Sequence, residues 1–335
     1  MKKYVVDIVY NWKGSYDAGP KARVDVSRTL KRLGYQFVCI KHLEFKSKML
    51  FSVCRKLQFI WLYLRHLKNA ECVVIQYPGP TSLWLLEKLK KHKTKIIILI
   101  HDLENIRGEK GEFTEKVVLD FANEIISHTP SMTEYLKQNG ISCNIQDIYL
   151  FDYYVENTEI YHETDRNSIV FCGNIAKSPF IHALAEQHWK FKTYLYGKGY
   201  DEHRSNPNIE YMGAFHSDNV SNIKGAWGLV WDGASIESCA TTAIGRYLRY
   251  NSSHKASLYI VAEKPLIVWA ESALAEFVKE NYLGIVVHSL LELENAIEHV
   301  SKEEYQNFIN NIKRLKGKLT DGAILSSIIE QIENQ

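Results

Sequence analysis

The stretch Lys95-Ile96-Ile97-Ile98-Leu99-Ile100-His101-Asp102 decides the fold class. Its apolar residues follow one another without polar alternation, so both faces of the segment are expected to be buried. A strand buried on both faces is typical of the centre of a parallel sheet that helices cover on each side. The polar pair His101-Asp102 begins where the strand ends, which is the edge at which such sheets bind ligands. The stretch therefore predicts an α/β fold with a site beyond the strand ends.

Short β-branched runs and longer amphipathic segments alternate in both directions from this strand. Before residue 150 they predict strands at 5–10, 36–40, 71–76, 95–100, 124–127 and 144–148, and helices at 22–33, 47–68 and 81–91. A polar, charged segment at 151–167 is typical of an interdomain linker. The second series predicts strands at 168–172, 192–196, 209–212, 228–231, 266–269 and 284–287, and helices at 181–187, 271–279, 290–300 and 324–332.

Two consecutive series of this kind predict two doubly wound, Rossmann-like domains that face each other across a cleft. We place an N-terminal domain at residues 1–155 and a C-terminal domain at residues 165–319. The last helical segment, residues 320–335, is expected to pack back on the N-terminal domain.

The composition excludes some classes of function. Lys plus Arg number 41 against 39 Asp plus Glu, so the formal net charge of +2 gives no argument for a nucleic-acid partner. The apolar run after Met-Lys-Lys is too short for a signal peptide, and no window has the ~20 uncharged apolar residues that a spanning helix needs. None of the six cysteines forms a Cys-x-x-Cys pair, which is typical of reduced thiols. We therefore expect a cytoplasmic protein.

A glycine loop follows the first strand of the second series. Gly173 and Asn174 permit close backbone approach to a phosphate, and Lys177 supplies a cation, although an ordinary turn with a solvated lysine fits equally well. Gly197 and Asp232 also follow strands; Asp232 could bond sugar hydroxyls or simply form an Asp-Gly turn. Neither a dinucleotide-binding fingerprint nor a Walker A motif occurs, which argues against a dehydrogenase or an NTPase.

The segment Asn251-Ser252-Ser253-His254-Lys255 opens an apolar helix. A helix N-terminus has unsatisfied N–H groups and partial positive charge, which suit a pyrophosphate. A lysine at that end opposes the helix dipole, so its presence is easier to understand if an anion binds there. We interpret Asn251, His254 and Lys255 as contacts to a bound pyrophosphate, with a solvated lysine as the alternative.

These motifs resemble the nucleotide-sugar half of GT-B glycosyltransferases. The resemblance is stronger to a bacterial group of galactofuranosyl- and glucosyltransferases that includes the glucosyltransferase 3 enzymes of streptococcal adhesin glycosylation. It covers nearly the whole chain and is carried by Lys255, residues 264–268, 276–278, 283–284, 228–232 and 171–174, and Ile100-His101-Asp102.

The resemblance implies a GT-B architecture with a UDP-sugar held mainly by the C-terminal domain. It implies nucleotide contacts at Lys177, at Tyr194 or Tyr196, and at Lys255. The acceptor would enter from the N-terminal domain, between the loop that contains Gly14, Ser15 and Tyr16 and the His101-Asp102 loop.

The sequence departs from the common retaining GT-B pattern, which has two glutamates before and within the helix that leads to Gly-Lys-Pro. The corresponding positions here are Tyr250 and Leu258, and Glu263 stands where Gly is usual. This argues for an inverting transfer, in which Asp17, His101 or Asp102 would deprotonate the acceptor hydroxyl. His101 and Asp102 could equally be a strand-end pair that satisfies backbone groups.

The charge that develops on the departing nucleotide also has to be stabilised. Metal-dependent GT-A enzymes use a metal held by Asp-x-Asp, and this sequence contains no Asp-x-Asp. Lys177, Lys255 and the helix N-terminus could supply the same stabilisation. We expect neither a metal nor another cofactor.

The segment 47–68 is basic and aromatic, which is typical of helices that lie on anionic membranes. A domain helix with one solvated face, or a homo-oligomer interface, explains the pattern as well. Peripheral contact with the inner face of the cell membrane would suit a glycolipid acceptor.

The combined hypothesis is transfer of a hexose, of glucose or galactofuranose type, from a UDP-sugar to a glycan acceptor. The acceptor would be a cell-surface polysaccharide or a glycoprotein. Two alternatives remain open at this point: a non-catalytic GT-B partner or chaperone subunit, and a nucleotide-sugar epimerase of the same fold.

Overall fold

The computed structural model describes residues 2–8, 20–41, 47–79, 82–108, 114–157, 159–201 and 206–335. The predicted acceptor-side residues Gly14, Ser15 and Tyr16, and the predicted base Asp17, lie outside these ranges.

The N-terminal sheet has six parallel strands in the order β2-β1-β3-β4-β5-β6. Its strands are β1 (Lys3–Ile8), β2 (Gln36–Ile40), β3 (Cys72–Tyr77), β4 (Lys95–Ile100), β5 (Glu124–Ser127) and β6 (Asn144–Asp147). The prediction that Ile96–Ile100 form a central strand is confirmed, because β4 lies between β3 and β5 and all five residues are buried.

Helices cover both faces of this sheet. They are α1 (Lys21–Arg32), α2 (Lys48–Leu62), α3 (Leu83–Lys91), α4 (Lys116–Leu119) and α5 (Pro130–Gln138). Ile96, Ile98 and Ile100 pack in the core that contains α2, α3 and α5, whereas Ile97 and Leu99 pack in the core that contains α1. Alternate side chains of one strand thus enter opposite cores, as the period-2 geometry requires.

The C-terminal sheet repeats the arrangement in the order β12-β11-β10-β7-β8-β9. Its parallel strands are β7 (Ser168–Cys172), β8 (Lys192–Tyr196), β9 (Ile209–Gly213), β10 (Trp227–Val230), β11 (Leu266–Trp269) and β12 (Gly284–Val287). Its helices are α6 (Phe180–Ala185), α7 (Ala243–Tyr247), α8 (His254–Val261), α9 (Ala275–Glu280), α10 (Leu293–His299) and α11 (Lys302–Asp321). The expected pair of doubly wound sheets is therefore present.

The last helix, α12 (Ala323–Glu333), contributes to the core of the N-terminal domain. Its buried residues Leu325, Ile328, Ile329 and Ile332 share one core with α1 and the first sheet. The Asp152 carboxylate accepts hydrogen bonds from the N–H groups of Ile324 and Leu325, at 3.1 and 3.3 Å. The domain boundaries themselves, at 155, 165 and 319, remain predictions.

The chain crosses between the domains at two adjacent places. At the first crossing, Phe151, Asp152, Tyr153 and Tyr154 are buried, so the segment predicted as a linker begins inside the protein. The Tyr153 N–H donates to the Leu319 carbonyl at the end of α11, which joins the first crossing to the second. Lys21 connects the two domains at this crossing by ion pairs. Its ammonium lies 2.7 Å from Asp25 in α1 and 2.6 Å from Asp218 in the C-terminal domain.

Two further observations concern the helices. The predicted helix 47–68 changes hydrogen-bond pattern near its end, where α2 continues as a π-helical turn (Tyr63–Leu67) and the Lys68 N–H donates to the Tyr63 carbonyl. Among the described residues, no helix has the length and apolar character needed to cross a membrane.

Candidate functional site

The first turn of α8 brings together three residues that the sequence predicted for one site. The Lys255 ammonium lies 2.9 Å from the Asp232 carboxylate, in the loop after β10. A Cβ atom on Gly173, after β7, would lie only 3.2 Å from Cε of Lys255. Each of these residues follows a strand end or begins a helix, so the fold concentrates them at the carboxyl edge of the C-terminal sheet.

Two glycine loops form the wall of this site beside β7 and β8. The Gly173 N–H donates to the Tyr196 carbonyl at 2.9 Å. A Cβ atom on Gly197 would lie 1.7 Å from the Gly173 carbonyl oxygen, and Gly197 has φ = 142°. Only glycine fits such an approach, so the two loops pack backbone against backbone.

The segment that leads into α8 keeps buried polar atoms without partners. Ser253 is the N-cap residue, but its side chain accepts no hydrogen bond from the first turn. Four buried side-chain atoms between residues 251 and 257 have no hydrogen-bond partner within the described parts of the chain: Asn251 Oδ1, Ser252 Oγ, His254 Nε2 and Ser257 Oγ. Because an unsatisfied buried polar group costs roughly 1–3 kcal/mol, such a cluster is typical of a ligand site.

The His254 imidazole is held in an aromatic setting. Its ring stacks on Tyr153, with centroids 5.0 Å apart and planes 27° apart. Burial, with Lys21 and His128 nearby, lowers the pKa of His254 to about 3. The ring is therefore neutral near pH 7 and can either donate or accept a hydrogen bond.

The N-terminal domain positions this segment through His128, which the sequence analysis did not identify. His128 Nδ1 accepts the Ser252 N–H at 3.1 Å, and its Nε2–H donates to the Ile100 carbonyl at 3.0 Å. These two bonds fix a single neutral tautomer, and burial lowers the pKa of His128 to about 4. The available signal was its place directly after β5, equivalent to the place of His101 after β4.

Two more bonds from the N-terminal domain hold the same segment. The Thr129 hydroxyl donates to the Tyr250 carbonyl at 2.6 Å, and the Leu103 N–H donates to the Tyr247 hydroxyl at 2.9 Å. The carboxyl edges of both sheets therefore meet at residues 247–252.

The two predicted bases that the structure describes, His101 and Asp102, have different surroundings. His101 Nε2–H donates to the Gln76 side-chain oxygen at 2.7 Å, and the ring stacks on Phe151. Burial, then Arg23, His128 and His254, lower the pKa of His101 well below its ordinary value. Asp102 is 37 % exposed and lies 2.9 Å from the Arg107 guanidinium.

The remaining predicted nucleotide contacts are either exposed or already have partners. Asn174 and Lys177 are exposed on the turn after β7. Tyr194 and Tyr196 are buried in the core: Lys192 and Lys224 lie over the Tyr194 ring, and the Tyr196 hydroxyl donates to the Asn222 carbonyl at 3.2 Å. Within the described ranges, no group of three or more His, Cys, Asp and Glu residues is arranged to hold a metal ion.

Comparison with known proteins identifies relatives over almost the full length. Two family models match, the "Glucosyltransferase 3-like, N-terminal domain" at residues 2–149 and the "Glucosyltransferase 3-like, C-terminal domain" at residues 169–332. The beta-1,6-galactofuranosyltransferase WbbI of Escherichia coli (strain K12) is 29 % identical over 326 residues, which cover 94 % of each chain. Glucosyltransferase 3 of Streptococcus gordonii is 25 % identical over 329 residues, which cover 92 % of each chain.

A solved structure with a similar fold is Anabaena Alr3699/HepE in complex with UDP. It superposes with a TM-score of 0.56 at 11 % sequence identity, and the match covers all of both chains.

Proposed function

The chain belongs to the glucosyltransferase 3-like family of GT-B glycosyltransferases, and from this premise we propose that it transfers a hexose from a UDP-sugar to a glycan acceptor by inversion, without a metal. The observation that carries the donor site is the start of α8, where four buried polar atoms beside Lys255 have no partner among the residues that the structure describes. Serine hydroxyls can donate to phosphate oxygens, and an amide oxygen can accept from a sugar or ribose hydroxyl.

The two residues of the Lys255–Asp232 ion pair would bind different parts of the donor. Lys255 begins a helix and would contact the pyrophosphate, where the N–H groups of the first turn also favour an anion. Asp232 would accept hydrogen bonds from hydroxyls of the transferred sugar. The 2.9 Å contact between the two side chains keeps both in place before the donor arrives.

The transfer step is a single displacement at the anomeric carbon. The acceptor oxygen forms a bond to that carbon, the bond to the β-phosphate oxygen breaks, and UDP leaves with the electron pair. The acceptor proton passes to a base. Lys255 and the α8 N-terminus would offset the charge that develops on UDP, in place of a metal.

The contacts favour Asp102 over His101 as that base. The His101 ring is bonded to Gln76 and stacked on Phe151, and desolvation holds its pKa well below the ordinary value, so it takes up a proton poorly. Asp102 is partly exposed at the carboxyl end of β4, where an acceptor hydroxyl could reach it. Asp17 remains a candidate outside the described residues.

Binding of UDP tests the donor site directly. Calorimetric titration with UDP, in buffer containing EDTA, should show binding by the wild type and at least tenfold weaker binding by Lys255→Ala. The control is Lys302→Ala, which removes a lysine from the first turn of α11 and should bind UDP as the wild type does. Equal binding by Lys255→Ala, or binding only when a divalent metal is added, would contradict the proposal.

The sugar and the stereochemistry need a second measurement. Incubation with UDP-glucose or UDP-galactofuranose and a glycan acceptor should give a product whose anomeric configuration, determined by NMR, is opposite to that of the donor. A retained configuration would overturn the inverting assignment and leave the UDP site intact.

A further inference from the structure

Helix α2 exposes an apolar face that no described part of the chain covers. Met49, Leu57 and Trp61 are 74, 58 and 59 % exposed. Half of the large hydrophobic residues that are exposed in the described ranges lie between residues 49 and 64: Met49, Leu50, Phe51, Val53, Leu57, Trp61 and Leu64. Scattered exposed apolar residues are ordinary, but a cluster of this kind marks an interaction surface.

The helix geometry makes this cluster a continuous surface. At 100° per residue, Met49, Leu50, Val53, Leu57 and Trp61 fall within an arc of about 120°. We call these five residues the outer face of α2. The buried residues of the helix, Phe59 and Leu62, lie on the opposite side, and residues 48–58 include no buried side chain. The N-terminal part of α2 therefore stands away from the domain core with its apolar residues in solvent.

The helix that carries this face has charge of one sign, and of its cations Lys48 and Arg55 project from the side opposite the face. Residues 47–70 contain five Lys or Arg residues and no Asp or Glu: Lys48, Arg55, Lys56, Arg65 and Lys68. On the helix wheel, Lys56 lies just outside one border of the outer face. The basic C-terminal end of α3 adjoins the same helix, because the His92 ring lies 6.0 Å from the Tyr63 ring.

The exposed apolar face and the positive charge of the helix together indicate what kind of partner binds α2. A second copy of the chain would bring two cationic helices together, which like-charge repulsion opposes. An anionic lipid surface satisfies both features, since apolar side chains enter the boundary between headgroups and acyl chains while cations contact the headgroups. We propose that α2 lies in the plane of a membrane that contains anionic phospholipids and attaches the protein to it. The proposal goes beyond the transfer reaction and does not depend on it.

Vesicle sedimentation of the full chain tests this proposal. The wild type should sediment with vesicles of equimolar phosphatidylglycerol and phosphatidylcholine, bind at least tenfold more weakly to phosphatidylcholine alone, and lose affinity as salt rises. The variant Met49→Gln/Leu57→Gln/Trp61→Gln should bind the anionic vesicles at least tenfold more weakly. The matched control Val117→Gln/Tyr282→Gln/Leu291→Gln removes three apolar side chains of 55, 62 and 51 % exposure and should bind as the wild type does.

A fluorescence readout and a size measurement complete the design. Brominated lipids should quench part of the wild-type tryptophan emission, and Trp61→Phe should lose that part. Equal vesicle binding by the wild type and the α2 variant, or equal binding to anionic and neutral vesicles, would overturn the proposal. A lipid-free oligomer that the α2 variant dissociates would identify the outer face as a contact between copies instead.

Discussion

The carboxyl edges of the two sheets carry similar residue types, but they use them differently. On the N-terminal side, His101 is bonded to Gln76, Asp102 to Arg107, and His128 to both Ile100 and Ser252. On the C-terminal side, buried polar atoms of Asn251, Ser252, His254 and Ser257 lack partners within the described residues. His101, Asp102 and His128 of the first edge thus have protein partners, whereas the second edge keeps four buried polar atoms that a ligand could satisfy. The difference suits a supporting role for the first edge and a binding role for the second.

The largest expected effect concerns Asp102, a partly exposed carboxylate of the N-terminal edge. If Asp102 is the base, Asp102→Asn should lower kcat by roughly 10²–10⁴-fold, because general-base catalysis typically contributes that much. UDP affinity should not change, since the donor site lies on the other edge. Steady-state kinetics and UDP titration measure the two quantities separately.

Asp17→Asn is the companion variant for that experiment. If Asp17→Asn loses kcat while Asp102→Asn keeps it, the base belongs to the loop before α1, and the ion pair of Asp102 with Arg107 is structural.

The pH dependence of the free energy of unfolding tests the hydrogen bonds by which His128 connects the two sheet edges. Folding lowers the pKa of His128 from 6.5 to about 4, so the folded state binds fewer protons. The stability that the neutral His128 ring contributes is complete above pH 6.5 and is lost as the pH falls toward 4. Between pH 7 and pH 5 the loss from this one imidazole is about 2 kcal/mol. Urea unfolding at several pH values should show it.

The variant His128→Gln cannot titrate, so its stability should depend less steeply on pH between 7 and 5. The exposed His288→Gln serves as the control and should keep the wild-type slope. A wild-type slope in His128→Gln would mean that this imidazole does not titrate with folding as its burial predicts.

The smallest expected effect is on donor affinity, and it distinguishes a residue that binds ligand from one that only stabilises the fold. Asn251→Ala removes an acceptor that has no partner within the described ranges, so it should leave the free energy of unfolding nearly unchanged and weaken UDP-sugar binding about tenfold, equivalent to 1.4 kcal/mol. Gln76→Ala breaks the bonds to His101 and Ser27, so it should cost roughly 1–3 kcal/mol of stability and leave donor affinity unchanged. Urea unfolding and calorimetry compare the pair. Equal effects of both variants on donor affinity would remove the distinction between the edges.

Much of the fold could be predicted from local pattern. The strand bounds at Gln36–Ile40, Lys95–Ile100, Ser168–Cys172 and Leu266–Trp269 match the structure to the residue. These strands are central or closely bounded by turns, so pattern and burial coincide. The helix α11 was missed, although Ser301 accepts the Glu304 N–H at 3.0 Å and Gly322 ends the helix with φ = 76°. Its serine cap and terminal glycine were available signals.

The candidate site was only partly predictable, for a physical reason. Strand-end position brought Lys255, Asp232 and Gly173 together, because the fold places all strand ends at one edge. It could not show that the Tyr196 hydroxyl has a backbone partner or that Asn251 Oδ1 has none in the described part of the chain, since hydrogen bonding between distant segments depends on tertiary packing. His128 was missed because its partner Ser252 is 124 residues away.

Because α12 returns to the first domain, the two domains are held together by more than the segment that links them. A protease that cut once in the mostly exposed stretch 159–165 would break the chain without separating the products. The C-terminal product would still carry Leu325, Ile328, Ile329 and Ile332, which fill the core of the other piece. The cleaved protein should therefore migrate as one species under native conditions and as two fragments in denaturant. Two fragments expressed separately, divided at this stretch, should associate into the folded protein.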